Sequence, residues 1–137
     1  MSDSDVILID VQTPTDENHI PQYHSLREVS EQIAERIQRG TLVIVESTVA
    51  PGTTQNVVQK IIEEHSGLKA GEDFDLAFAY ERVMPGKLIN NIVNLPRIVG
   101  GITPKSAERA VAIYSKIVKV ESHFKPYLQG FAHNYFN

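Results

Sequence analysis

At 137 residues the chain is the size of one domain, long enough to bury a core and too short for a second. The formal net charge of −4 and a pI near 5.7 argue against a nucleic-acid or anionic-membrane partner, because the 13 basic residues are outnumbered by 17 acidic ones and nowhere clustered. The absence of cysteine excludes disulfides and thiol chemistry, and the opening MSDSDVILIDV has neither a basic leader nor an apolar run near the ~20 residues of a membrane span, so a cytoplasmic chain is expected.

Val6 to Val11 is apolar and β-branched except for Asp10, which predicts a strand buried on both faces. A polar loop, Gln12 to Asn18, follows, with Thr13-Pro14 just past the strand's carboxyl end. Ser25 and Glu28 form a candidate capping box for a helix whose apolar residues Leu26, Val29, Ile33 and Ile37 recur at helical spacing up to Gly40.

Leu42 to Val45 is a second strand with no polar alternation, and Glu46, Ser47 and Thr48 place a carboxylate and two hydroxyls at its carboxyl end, where open α/β sheets bind ligands. Pro51-Gly52 signals a turn. Thr53 or Thr54 can cap the next helix, leaving backbone N–H groups aimed at the same cleft, where an anion or nucleotide could sit. Ser and Thr at such junctions also serve simply as caps and turn formers, and the residues alone leave both readings open. Val57, Val58, Ile61 and Ile62 mark that helix, which ends near Gly67.

A third strand, Asp75 to Tyr80, runs into Glu81-Arg82, putting charge at a strand end again. Met84 to Asn91 reads as a turn and short helix, and Arg97 to Gly101 as a brief fourth strand. Thr103-Pro104 has the chemistry of a helix start, continued by Ala107, Ala110, Val111, Tyr114, Ile117 and Val118. The tail from Lys119 to Asn137 shows no periodicity, and its aromatics suit packing better than base stacking because no basic residues interleave them. Alternating strands and helices define an α/β fold with a mainly parallel sheet. A carboxylate such as Glu81 beside an arginine is commonly a solvated ion pair. The five histidines share no ligand spacing with carboxylates, so no metal site is expected, and Gly100-Gly101 reads as a turn.

Four stretches, DVILIDVQTP, LVIVESTVAPGTT, YERVMPGKL and RIVGGITPKSAERA, occur in an order and spacing that resemble the UDP-glucose/GDP-mannose dehydrogenase family, nearest its UDP-N-acetylmannosamine dehydrogenase-like branch. The resemblance implies a partial Rossmann-like, NAD-binding domain over residues 1–118, followed by a divergent tail, 119–137. It implies a full enzyme that uses NAD to oxidise the C6 alcohol of a UDP-sugar to a uronic acid for surface polysaccharide. Thr13 would contact the cofactor, Ser47 and Thr48 would line its nicotinamide end with Thr48 beside the reacting centre, and Glu81 would face substrate and cofactor. These make Thr48 and Glu81 the candidate catalytic residues, and Thr13, Ser47 and Thr48 the candidate cofactor-binding ones.

The chain also departs from that family's pattern. It holds no G-x-G-x-x-G turn to cradle a pyrophosphate and no cysteine for the family's covalent step. Asp10 stands in place of a small or apolar residue, and Ala79-Tyr80 precede Glu81 where Ser-Pro is typical. The expectation is therefore the second half of a dinucleotide-binding domain, inactive alone. A non-catalytic module acting in binding or self-association, as a homo-oligomer, is the alternative.

Overall fold

The structure, a computed structural model, describes residues 5–81, 86, 88–94 and 97–118. The expectations for Arg82, for Met84 and Pro85, and for the tail beyond 118 with its aromatics lie outside the described residues.

Three parallel strands carry the fold: β1 (Val6–Ile9), β2 (Leu42–Val45) and β3 (Asp75–Phe78). A two-residue strand, β4 (Gly100–Gly101), pairs antiparallel with β3, and the sheet order is β1-β2-β3-β4. The helices are α1 (His24–Ala34), a π-helical turn (Thr54–Gln59) running into α2 (Lys60–Ser66), α3 (Leu88–Asn94) and α4 (Pro104–Tyr114). The α/β, mainly parallel expectation holds.

The unbroken apolar run of β2 has a direct cause, since every one of its residues is buried and its side chains alternate between two cores. Val43 and Val45 join Ile9, Leu26, Ile33, Val58, Ile62, Phe74 and Leu76 on the α1/α2 side, whereas Leu42 and Ile44 join Ala77, Ala79, Val99, Ala110 and Tyr114 on the α4 side. At about 1.5–3 kcal/mol per buried Val, Leu or Ile, this strand alone ties both layers together. α4 lies close to the sheet because Gly101 has no side chain: a Cβ there would stand 2.3 Å from the Ala107 backbone nitrogen. Gly100-Gly101 is thus a strand that admits a helix, not merely a turn.

Several boundaries move for identifiable reasons. β1 stops at Ile9 because the backbone of Val11 pairs with the Ser47 hydroxyl, not with a strand. The Ser25–Glu28 capping box does not form, since α1 begins at His24 after Tyr23 and its entry has no side-chain cap. Thr53 flanks the π-helical turn in a helical conformation without capping it, its hydroxyl lying 3.3 Å from the Tyr23 oxygen. Gly67 closes α2 in the left-handed conformation as its position suggests, and the Thr103 hydroxyl accepts from the Ser106 N–H with Pro104 in the first turn.

Candidate functional site

The carboxyl ends of β1, β2 and β3 share one edge, and the polar residues that follow each strand meet there. Ser47 laces the first two together: the Val11 N–H donates to its Oγ at 2.8 Å, and the same hydroxyl donates to the Val11 carbonyl at 2.8 Å. One residue on, the Thr13 hydroxyl donates to the Thr48 carbonyl at 2.6 Å. Thr13, Ser47 and Thr48 are therefore brought together across 35 to 36 residues of sequence. Ser47 is buried and its hydroxyl is spent on this lacing, while the Thr48 side chain is exposed on the rim.

The turn beyond Thr48 is closed on itself. The Ala50 N–H donates to the Tyr23 hydroxyl at 2.8 Å, the Thr53 N–H to the Ala50 carbonyl and the Asn56 N–H to the Gly52 carbonyl. The expectation of free N–H groups after Pro51-Gly52 is corrected for Thr53 and Asn56, because the tight entry into a π-helical turn uses them internally.

Glu81 stands one strand over, its N–H donating to the Glu46 carbonyl at 3.1 Å. Among the described residues it pairs with Arg97, whose Nη2 donates to Glu81 Oε2 at 2.5 Å while Nη1 donates to Glu46 Oε1 at 2.6 Å. The Tyr114 hydroxyl donates to the same Glu46 oxygen at 2.5 Å, and the guanidinium lies over the Tyr114 ring with its carbon 4.5 Å from the centroid. The Arg97 end of this pair is buried, its side chain 8% exposed, whereas that of Glu81 is 27% exposed. Burial pushes the Tyr114 phenol well above its ordinary value, and the Glu46 carboxylate pushes it further. Burial opposes the Arg97 charge, yet the Glu81 hydrogen bond and the two carboxylate charges outweigh it and raise the guanidinium above its usual range.

Sequence reasoning named Thr13, Ser47, Thr48 and Glu81 as candidates and gave Arg97 and Tyr114 no part beside them. The only signals they leave are a cation ahead of a short apolar run and an aromatic at a helix end, separated from Glu46 by 51 and 68 residues. Among the described residues, no group of three or more His, Asp or Glu is placed to hold a metal, and no helix is long and apolar enough to cross a membrane.

A parallel sheet with its polar groups gathered outside the strands' carboxyl ends defines the nucleotide-binding α/β class. Within that class, the model of the UDP-glucose/GDP-mannose dehydrogenase family, NAD binding domain, matches residues 1–118, and the chain belongs to this family. It is 41% identical over 116 residues to the UDP-N-acetyl-D-mannosamine dehydrogenase of Pyrococcus horikoshii, a match covering 85% of this chain and 27% of that protein. The solved structure of that Pyrococcus enzyme superposes with a TM-score of 0.86 at 39% identity, over 90% of this chain and 29% of that one. A ternary complex of GDP-mannose dehydrogenase from Pseudomonas aeruginosa gives a TM-score of 0.82 at 29% identity, over 91% of this chain and 29% of its own. The chain thus spans less than a third of the length of these relatives. The cofactor that the family implies is NAD.

The described rim fits that cofactor unevenly. For a diphosphate the fit is poor: among the described residues the charged groups that follow the strands are the carboxylates Asp10, Glu46 and Glu81, and the N–H groups of Ala50, Thr53 and Asn56 are already engaged. For the nicotinamide end the described residues offer the exposed Thr48, which lies two residues past the buried Glu46 at the carboxyl end of β2.

Proposed function

We propose that residues 1–118 supply the nicotinamide-facing half of the NAD-binding domain of a cytoplasmic nucleotide-sugar 6-dehydrogenase, with residues 119–137 outside that unit. In this reading Thr13, Ser47 and Thr48 line the cofactor, and Thr48 and Glu81 face the C6 alcohol of a UDP-sugar. The observation that carries it is the lacing of Val11 to Ser47 and Thr13 to Thr48, which joins the candidate residues into one rim.

Bound NAD supplies hydride acceptance there. The chain's own residues do the rest: the Thr48 hydroxyl hydrogen-bonds at the reacting centre, and Glu81 orients the alcohol and takes up its proton. Hydride transfer needs a complete pyrophosphate site to hold the cofactor in place and acid formation needs a thiolate, and these 137 residues hold neither a G-x-G-x-x-G turn nor a cysteine. The isolated chain is therefore expected to give no NADH absorbance with UDP-N-acetylmannosamine or UDP-glucose, and sustained turnover of either would sink the fragment reading. NAD binding is expected at millimolar affinity, about 4 kcal/mol at a 1 M standard state. NMR titration with NAD should shift Thr13, Ser47, Thr48 and Glu81 together, and Thr48→Val should abolish the effect with the fold intact. Shifts confined elsewhere would reduce the rim to caps and turns.

Self-association is the second reading, favoured by one feature. β1 is the outermost strand of the described sheet and Leu8 on it is 51% exposed, so an apolar edge is open to pairing with a second copy. Light scattering at micromolar concentration should show a dimer or larger species, and a clean monomer would refute it.

A further inference from the structure

In the sequence Arg97 is only the first residue of a short apolar run; in the fold it links the buried interior to the one cluster carboxylate that reaches the rim. Its anchorage is unequal on the two sides. Glu46 is 11% exposed in its side chain, directly follows β2, and accepts from both Arg97 and Tyr114 through a single oxygen. Its N–H also donates to the Ile9 carbonyl, so backbone and side chain are both held. Glu81 is 27% exposed and lies three residues past the end of β3, outside regular structure. Tyr114, at the end of α4, supports the guanidinium face and hydrogen-bonds Glu46 at the same time. Two elements of the core, β2 through Glu46 and α4 through Tyr114, therefore converge on the guanidinium, and its second nitrogen is directed at Glu81.

From this geometry we propose that Arg97 is a positioning residue for Glu81: it transmits the fixed orientation of Glu46 and Tyr114 to the rim carboxylate and holds it in one rotamer facing substrate and cofactor. The proposal rests on the reading of Glu81 given above, but its structural half stands without any ligand. A planar fork is needed for the task, because two separate nitrogens must address two carboxylates at a set angle. A lysine ammonium is a point charge on a flexible stem and cannot define that angle. An ordinary structural ion pair makes a different prediction, in which losing the fork lowers stability and leaves the order of Glu81 unchanged.

The test uses the whole 137-residue chain, labelled for NMR, with side-chain three-bond couplings read at Glu81 before and after adding NAD. Wild type should show a single Glu81 rotamer. Arg97→Lys should keep the β2 and β3 backbone shifts while the Glu81 couplings move to the average over staggered wells. The NAD-induced shift at Glu81 should then fall roughly threefold, as its occupancy spreads over three wells, while those at Thr13 and Thr48 persist. Tyr114→Leu, which removes both the ring beneath the guanidinium and the hydroxyl bound to Glu46 but no charge, should give partial averaging, and it decides the matter if Arg97→Lys does not fold. A Glu81 side chain already averaged in wild type, or one that stays fixed in either variant, would overturn the proposal. If NAD moves no rim residue in wild type, the nucleotide reading fails while the couplings of the free chain still decide the role of Arg97.

Discussion

Helix α4 is clamped to the sheet by a charged cluster at each end, and the two clusters hold their carboxylates differently. At the amino end of β3, Asp75 is 1% exposed and surrounded by donors: Arg109 Nη1 at 2.6 Å, Ser106 Oγ at 2.9 Å and Lys105 Nζ at 3.4 Å. One carboxylate there meets two cations, and Arg109 also donates to the Gly40 carbonyl at 2.9 Å, closing the turn before β2. At the carboxyl end the Arg97 guanidinium is shared between Glu46 and Glu81. A saturated carboxylate away from the ligand edge has structural work only. At the carboxyl ends of the strands, by contrast, the shared guanidinium joins a buried carboxylate, Glu46, to a more exposed one, Glu81.

The largest expected effect comes from emptying the carboxyl-end cluster of its cation. Arg97→Met keeps much of the side-chain volume but leaves Glu46 buried without a counter-charge, and removing one partner of a buried pair typically costs about 3–5 kcal/mol. Urea unfolding should show that loss as a lower midpoint with an unchanged slope. A loss below about 1 kcal/mol, the range of exposed pairs, would mean that the cluster is solvated in solution and that the contrast between the two ends is false.

How much of this was legible beforehand differs between backbone and side chains. β2 could be read residue for residue, because burial on both faces leaves a mark that no exposed strand leaves. The start of α4 was equally legible, since the Thr103-Pro104 cap is a local bond between neighbours. The Ser25–Glu28 box was misleading because a contact from afar, the Tyr23 hydroxyl on Ala50, helps set the entry to α1 instead. Thr13, Ser47, Thr48 and Glu81 stand just past strands in the sequence, and the family resemblance is what singles them out as candidates. That Ser47 would spend its hydroxyl on Val11, or that Glu81 would pair with Arg97, could not be read there, because each bond joins segments whose relative position exists only once the sheet has formed.

A smaller effect, with its own pH signature, should come from the amino-end cluster. Burial alone would push the Asp75 carboxyl up, but hydrogen bonds from Arg109 and Ser106 and the nearby Lys105 charge hold it below its ordinary value of 3.8. With the folded value below the unfolded one, the unfolded chain binds the proton more readily. The stabilisation is therefore complete above the ordinary value and drains away as pH falls toward and through the folded one. Asp75→Asn keeps the shape, loses the charge-assisted bonds and should cost about 1–3 kcal/mol at neutral pH, less than Arg97→Met because Arg109 can turn to water. The same variant should flatten the acid limb of the stability profile, so that wild type and Asp75→Asn converge as the pH drops below 3.8. Denaturant midpoints measured from neutral pH downward give both numbers. Parallel curves that keep their separation into acid would show that Asp75 contributes through packing and neutral hydrogen bonds, and the two ends of α4 would then differ in burial alone.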